Sequence, residues 1–458
     1  MISKDLTRGN LWKQILFFGV PLILTNMLQV LFNMSDIAVV GNFAGSTALG
    51  SVGSTTMLVT LFTGILIGLS SGVNVLVARF FGAKDEYNLV RTVQTAFYIM
   101  LIAGVINMVI GLLLSESMLI LLGTKEELLP GAKLYMQIYF TGMPALGIYN
   151  FGNAVFSAIG NTKRPLVYLF ASGIINVILN LFFVIVCKMG VSGVALASSL
   201  SQYISAVLIV VSLSRADGAY KLVIGIKNVS KEKVKSILAL GVPASAQNVI
   251  FYVANLFVQA GVNTFTTVYV NGNSVASNSD ALVYDAMAGF YTACSSFIGQ
   301  NFGVKDKKRM ISSYLISLLY SFTLGAVLGG LLIVFGTQFL SIFTQDSEII
   351  RTGWLRLEIM AFSYCISAFM DCTISVSRGI WKTLVPTIIV IAGSCVFRIV
   401  WIYTVFAHFK TIRSLYLLYP CSWTLTAIAE IIYFLAVFKK IIPSTRKTEK
   451  DSVADGTI

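Results

Sequence analysis

Apolar runs long enough to cross a bilayer recur along almost the whole chain, separated by short polar segments rich in Lys, Arg, Gly and Pro. About 20 apolar helical residues cover the roughly 30 Å of hydrocarbon in a membrane. Twelve such spans are expected, near 12–40, 48–80, 89–114, 130–158, 164–187, 193–214, 235–265, 280–301, 308–336, 350–378, 383–407 and 414–438. The pattern predicts an all-α polytopic membrane protein. The start, before the first span, is polar and lacks a small-residue cleavage site, so no cleavable signal peptide is expected. The tail at 441–458 is polar and expected to be disordered.

Charge gives the spans an orientation. With the N-terminus inside, the cytoplasmic segments hold 25 of the 33 Lys and Arg residues, and the outer segments hold seven, Arg356 among them. Asn273, between the seventh and eighth spans, falls in an outer loop. Such an imbalance places both termini in the cytoplasm.

The longest internal polar connector, 215–234, follows the sixth span and separates an N-terminal lobe (1–214) from a C-terminal lobe (235–440). The two halves share a register. Gly82, Lys84 and Asp85 recur as Gly303, Lys305 and Asp306, each 221 residues later. Thr162 and Pro165 recur at the same offset as Thr383 and Pro386, and Gly19-Val-Pro21 recurs as Gly241-Val-Pro243 at 222. Identities at a constant offset and at the same loop landmarks indicate a duplication. Six spans per half is even, so the repeat is parallel, and a central cleft is expected between the lobes.

Few charges lie inside the spans, and each carries a desolvation cost that sends it toward a bundle interior or a watered cavity. Asp36 stands in the first span with Asn33 and Ser35 beside it. Pro21, fifteen residues earlier, lacks a backbone donor and is the expected bend site of that helix. In the fifth span Asn176 and Asn180 fall one turn apart on one face. The sixth opens with small residues, Gly190 and Gly193, that allow close helix approach and bring Ser198 to the interface. A structural polar seam is the alternative to a functional cluster there. The C-terminal lobe holds Asp285 and Asp371, both expected at the cavity, and Arg398, a candidate countercharge for one of these acids. Glu430 and Glu358 lie nearer span ends and are expected to be solvated or snorkelling. Tyr139, Met143 and Tyr252 are candidate cleft-lining residues, since aromatic and Met side chains suit bulky lipophilic cations. Duplication does not preserve the acids: Val258 stands opposite Asp36 and Asn150 opposite Asp371, which suggests a different task for each lobe.

Composition narrows the classes. The 458 residues are 56% hydrophobic and 12% charged, with mean hydropathy +0.83. A net charge of +13 reads as cytoplasmic loop bias, not nucleic-acid binding. The six cysteines are scattered and show no CxxC spacing, and His408 is the single histidine, so neither a metal site nor a cofactor is expected beyond a possible sodium ion at Asp36.

The chain resembles the MATE family, the multidrug and toxic compound extrusion transporters, over roughly 11–440. The resemblance rests on Pro21 with Asp36-Ile-Ala-Val-Val-Gly41, Ala78-Arg-Phe-Phe-Gly82-Ala-Lys-Asp85, Gly160-Asn-Thr-Lys-Arg-Pro165, the Asn176 to Asn180 turn, Met189-Gly-Val-Ser-Gly193-Val-Ala-Leu-Ala and Gly299-Gln-Asn-Phe-Gly303. It implies antiport of organic cations and drugs against protons or sodium across the plasma membrane, and hence multidrug resistance, by a protein that also contacts lipids and is expected to be a monomer. It also implies that Asp36 is the coupling acid, with Asn176, Asn180 and Ser198 around it, that Pro21 is the bend site, and that Asp371 is the acid used for cation binding in part of the family. Three departures bear on this. Asn180 replaces a common Asp, residues 243–265 contain no acid where one branch has Glu, and Trp381 stands where the repeat would place a glycine like Gly160. One carboxylate in the N-terminal cluster favours a proton over sodium as the coupling ion.

Two other classes compete. A flippase of lipid-linked sugars would want a cationic cleft for pyrophosphate, whereas Asp36, Asp285 and Asp371 outnumber Arg398. A membrane-embedded enzyme would need a catalytic constellation, and the chain offers no His pair, metal spacing or phosphate-binding loop.

Overall fold

In hydrocarbon a backbone N–H has no partner but its own helix, and the chain is helical nearly throughout. The computed structural model describes residues 3–441, so most of the expected polar tail lies outside the described residues. The first half comprises α1 (Leu11–Phe43), α2 (Ser46–Gly82), α3 (Glu86–Leu121), α4 (Leu129–Phe140), α5 (Met143–Ala158), α6 (Lys163–Leu181) and α7 (Val191–Ser214). The second comprises α8 (Lys231–Val262), α9 (Thr267–Gly303), α10 (Lys307–Ser341), α11 (Ser347–Gly379), the short α12 (Leu384–Val390), α13 (Phe397–Trp401), α14 (Ala407–Phe409) and α15 (Ile412–Tyr416), and α16 (Leu418–Ile441). Wider π turns at Phe182–Val186, Ile391–Val396 and Ile402–Phe406 extend α6 and join α12 to α14.

Among the described residues, ten helical stretches are long and apolar enough to cross a membrane. The other two of the twelve expected spans have local causes. The fourth is broken at Thr141 and Gly142, because Pro144 in the first turn of α5 has no N–H with which to continue α4. The eighth belongs to α9, which begins at Thr267, well before the expected residue 280. Its first turns are polar, and the polar groups that face the other helices, Asn273, Ser279 and Asp280, are paired within the lobe. Asn273 is buried, donates to Gln259 Oε1 (3.1 Å) and accepts from Arg356 Nη1 (2.7 Å). Asp280 is ion-paired to the other terminal nitrogen of Arg356 and accepts from Tyr364 Oη at 2.5 Å. Asn273 is therefore not a loop residue, and Arg356 is not an outer-segment charge.

The connector between the halves is also more ordered than a polar linker. Gln94 of α3 donates to Lys221 O (3.0 Å) and accepts from Val223 N (3.3 Å), and Ser230 N donates to Thr95 Oγ1 (3.1 Å). Residues 231–234 already belong to α8.

The duplication is visible in the backbone. Asp85 and Asp306 cap α3 and α10, accepting from the N–H three residues on, and Lys84 and Lys305 before them share a left-handed φ of 56° and 59°. Lys188 and Lys410, 222 residues apart, are left-handed as well. So are Gly160 and Trp381, at 84° and 67°, and the tryptophan bears the steric cost that the glycine avoids.

The halves are sealed together at the end that bears the termini. A side chain at Gly68 would meet the Ser245 backbone at 2.4 Å, one at Gly72 would meet Gly241 N at 2.8 Å, and one at Gly82 would meet Gln300 O at 2.2 Å. The absence of Cβ atoms at these points brings α2 directly against α8 and α9. From Gly64, whose carbonyl accepts from Asn248 Nδ2, to Gly82 the seal runs about 27 Å along α2. The N-terminal segment straps it from below: Lys4 N donates to Ile159 O in one half, while Arg309 of the other donates to the carbonyls of Leu6, Arg8 and Gly9.

Candidate functional site

Beyond the seal, α1, α6 and α7 converge on a polar ring. Asp36 Oδ1 accepts from Asn180 Nδ2 at 2.5 Å and Oδ2 from Ser198 Oγ at 2.7 Å. Asn180 Nδ2 also reaches Asn176 Oδ1 at 3.2 Å, and Asn176 Nδ2 closes the ring on Ser198 Oγ at 3.3 Å. All four are buried, with Asp36 at 7% exposure and Asn180 at 0%. Local sequence makes this possible. Asn176 and Asn180 share a face by the i, i+4 rule. Gly173 admits the Phe32 ring, which a Cβ there would strike at 1.7 Å, so α1 approaches α6 closely. Gly193 similarly admits Phe183 beside α7. The π turn starts two residues after Asn180, and such widened turns often accompany functional sites.

The ring opens on a cavity of about 230 Å³, lined by residues that include Gln29, Asn33, Asp36, Tyr139, Asn150, Asn176, Ser198, Gln202 and Tyr252. Asp36 is the one charged residue in that lining. Tyr252 comes from α8, so both halves border the space. Tyr139 stacks on Tyr135 with ring centroids 5.7 Å apart and presents its ring to the cavity.

The sequence-derived candidates divide by place. Asp36, Asn176, Ser198, Tyr139 and Tyr252 line the cavity, and Asn180 lies behind Asp36. Met143 is fully buried at the start of α5 and is not part of the lining. Asp285 and Asp371 do not line this cavity. Asp285 lies in α9, its backbone carbonyl accepting from Asn26 Nδ2 (2.9 Å), and Asp371 in α11 has Oδ2 enclosed and without a hydrogen-bond partner. Pro21 sits inside an unbroken α1, where Thr25 Oγ1 donates to its carbonyl at 2.8 Å.

Two expectations about charges are corrected, and one charged pair is new. Arg398 is not a countercharge to an acid: it donates to Ser422 Oγ (3.3 Å) and Asn255 Oδ1 (3.0 Å) and lies over the Tyr419 ring at 4.6 Å. Aromatic faces and neutral oxygens satisfy it. Glu430 is not solvated but fully buried. Asp280, not a candidate on sequence grounds, forms the buried ion pair with Arg356. Its signal was available, since Asp280 and Arg356 are both polar interruptions beside predicted apolar runs.

Among the described residues, no group of three or more His, Cys, Asp or Glu side chains converges as a metal site would. A monovalent ion at Asp36 would be held by one carboxylate and by neutral oxygens such as the buried, unpartnered Oδ1 of Asn180.

A duplicated bundle of membrane-spanning helices with a polar cavity bordered by both halves defines a transporter, not an enzyme. The MatE family model matches residues 21–182 and again 243–404, two segments in register at an offset of 222 residues, and the chain belongs to this family of multidrug and toxic compound extrusion transporters. It is 29% identical over 367 residues to the probable multidrug resistance protein YpnP of Bacillus subtilis, covering 80% of this chain and 81% of that one. It is 24% identical over 455 residues to the probable multidrug resistance protein NorM of Thermotoga maritima, covering 96% and 94%. Its fold matches an outward-facing multidrug resistance MATE transporter of the MOP superfamily with a TM-score of 0.88 at 21% identity, over 96% of this chain and 98% of that one. A MOP superfamily transporter from Pyrococcus furiosus, described as having a binding pocket of reversed polarity, matches with a TM-score of 0.90 at 22% identity, over 96% and 98%.

Proposed function

We propose that the protein exports organic cations across the cell membrane by antiport, with Asp36 as the coupling acid and a proton as the preferred counter-ion. One observation carries the reading: Asp36 is the sole charge lining a cavity of about 230 Å³, and its hydrogen-bond donors, Asn180 and Ser198, are neutral. A neutral shell lets one proton cancel the whole charge of the site. Aromatic faces of Tyr139 and Tyr252 suit a lipophilic cation. Several relatives, YpnP and NorM among them, carry multidrug resistance names, in keeping with drug-like cargo.

The mechanism follows from linkage. A drug cation and a proton compete for Asp36. Each shifts the balance between lobe arrangements only by its differential affinity for them. The closed seal at the terminal end and the cavity beyond it correspond to the outward-facing arrangement, given cytoplasmic termini. A proton entering from outside neutralises Asp36 and releases the cation. Reorientation then carries the protonated acid to the cytoplasmic side. Sodium is the alternative ion, and a lipid-linked pyrophosphate cargo is disfavoured by the absence of Lys and Arg from the lining.

Proteoliposomes test both parts. Drug export is expected under a proton gradient without sodium, and to be abolished in Asp36→Asn, which stays folded and inserted. Full activity under a sodium gradient at clamped pH, with none under the proton gradient, would overturn the proton assignment. For orientation, a cysteine at Lys231 is expected to label from the cytoplasm and one at Lys188 from outside; the reverse would invert the scheme.

A further inference from the structure

Glu430 stands in α16 nine residues before Lys439, about 14 Å along the helix from that charged end. It is 0% exposed, and neither carboxyl oxygen has a hydrogen-bond partner. Buried carboxylates persist in ionised form when they are paired or hydrogen-bonded. Glu430 is neither.

The surroundings sharpen the point. Arg378 stands on α11, the helix that also carries Asp371 and packs along α16. Its Nη2 is committed to Gln247 Oε1 at 2.8 Å, its Nε has no partner, and neither acid lies within ion-pairing distance of it. Asp371 precedes Arg378 by seven residues, two turns on the same helix face. Of the other elements against α16, α12 carries no ionisable side chain, the adjoining π turn carries Cys395, and Arg398 of α13 is held by Asn255 and Ser422. On α15, Tyr416 lies beneath the Arg356 guanidinium, and Arg413 is outside, paired with Glu358 of α11. Asp280 satisfies Arg356 on α11. From α10, Tyr314 packs on Phe434 with ring centroids 5.3 Å apart and is bonded to Thr373 Oγ1, and Lys307 lies over the Phe438 ring; Tyr291 of α9 joins the same cluster, and Tyr433 lies one turn from Glu430 on α16 itself.

We propose that Glu430 is a proton-binding site of the C-terminal lobe, separate from Asp36, and that it holds its proton in this conformation. While Arg378 is bonded to Gln247 and near Asp371, Glu430 remains the neutral acid. A shift of α11 against α16 that brings Arg378 onto Glu430 lets the O–H bond break, the electron pair staying on the carboxylate and the proton passing to water. The site neither requires nor implies that Asp36 couples to protons.

Infrared spectroscopy of the purified full chain in lipid vesicles at neutral pH tests this directly. A carbonyl band of a protonated carboxylic acid is expected, shifting when the protein is grown with isotope-labelled glutamate. Glu430→Gln, which keeps the shape of the neutral acid, is expected to lose that band, whereas Asp36→Asn retains it. Absence of a glutamate-sensitive acid band in the wild type, or its survival in Glu430→Gln, would overturn the proposal. The labelled wild type gives the answer even if the variant fails to fold. A failed Asp36 coupling test would leave this band in place, so the two readings fail separately.

Discussion

Ser296 Oγ of α9 donates to Asn74 Oδ1 of α2 at 3.2 Å, next to Ser295, which is the equivalent of Asn74 at the 221-residue register of these two helices. Equivalent residues that touch lie on the pseudo-twofold axis between the halves. That axis runs between α2 and α9, where Gly82 and Gly303, equivalent at an offset of 221, are packed together: a Cβ at Gly303 would lie 3.2 Å from the carbonyl carbon of Gly82. Opening toward the terminal end therefore means parting α2 from α8 and α9 along this line.

A covalent tie across the seal should arrest the cycle. Gly72 and Gly241 are close enough that a Cβ on Gly72 would lie 3.1 Å from Gly241 Cα. Because a Cβ at either glycine would strike the facing backbone, the tie is placed on Asn74 and Ser296, whose side chains already touch across the same seam: cysteines there, on a background with Cys187 and Cys421 removed, are expected to form a disulfide on oxidation. Drug export should fall to background while tied and recover on reduction. Undiminished export with the cross-link complete would show that the seal does not open during transport.

The twelve-span pattern, the duplication and the polar ring were legible for physical reasons. Long apolar runs must be helical in lipid. Asp85 and Asp306 are capping residues whose geometry repeats with the loop. Asn176 and Asn180 share a face in any α-helix. The beginning of α9 was not legible: hydropathy treats Asn273 and Ser279 as loop residues and Asp280 as the edge of a span, although Arg356, Gln259 and Tyr364 on other helices satisfy or contact them. Arg398 and Glu430 were misassigned for a related reason. Sequence shows that a charge lies in a span, but only packing shows which aromatic rings or neutral oxygens face it. The position of Trp381 in the repeat was legible. Its contact with Arg79, stacked 4.1 Å from its ring across the two halves, was not.

The Asp280–Arg356 pair is expected to act on stability. Removing one partner of a buried ion pair costs about 3–5 kcal/mol, because the other is left uncompensated. Arg356 is the more deeply buried, its side chain 5% exposed against 20% for Asp280. Asp280→Asn should therefore lower the melting temperature in detergent more than Arg356→Met does. Asp280→Asn combined with Arg356→Met should be less damaging than the sum of the two, since no lone charge remains. Strict additivity would show that the two groups do not depend on one another.

Asn180 offers a test of how the site chooses its ion. Its Nδ2 touches Asp36 Oδ1 at 2.5 Å, so Asn180→Asp places two carboxyl oxygens where a donor and an acceptor now meet. Two carboxylates at that distance do not both ionise without a cation between them, and otherwise share a proton. The variant site can take a sodium ion with two formal charges, aided by Asn176 Oδ1 and Ser198 Oγ, whereas the natural site offers one. Sodium should accordingly bind more tightly by roughly tenfold or more, a difference of about 1.4 kcal/mol or greater. Export driven by a sodium gradient at clamped pH is expected to rise in Asn180→Asp relative to the natural sequence. Over the same range the proton-driven rate should fall, because the shared proton is released less readily at the cytoplasmic side. Sodium binding measured calorimetrically on the purified protein separates affinity from transport. Equal sodium affinity in the two forms would mean that the ring around Asp36 does not set the choice of ion.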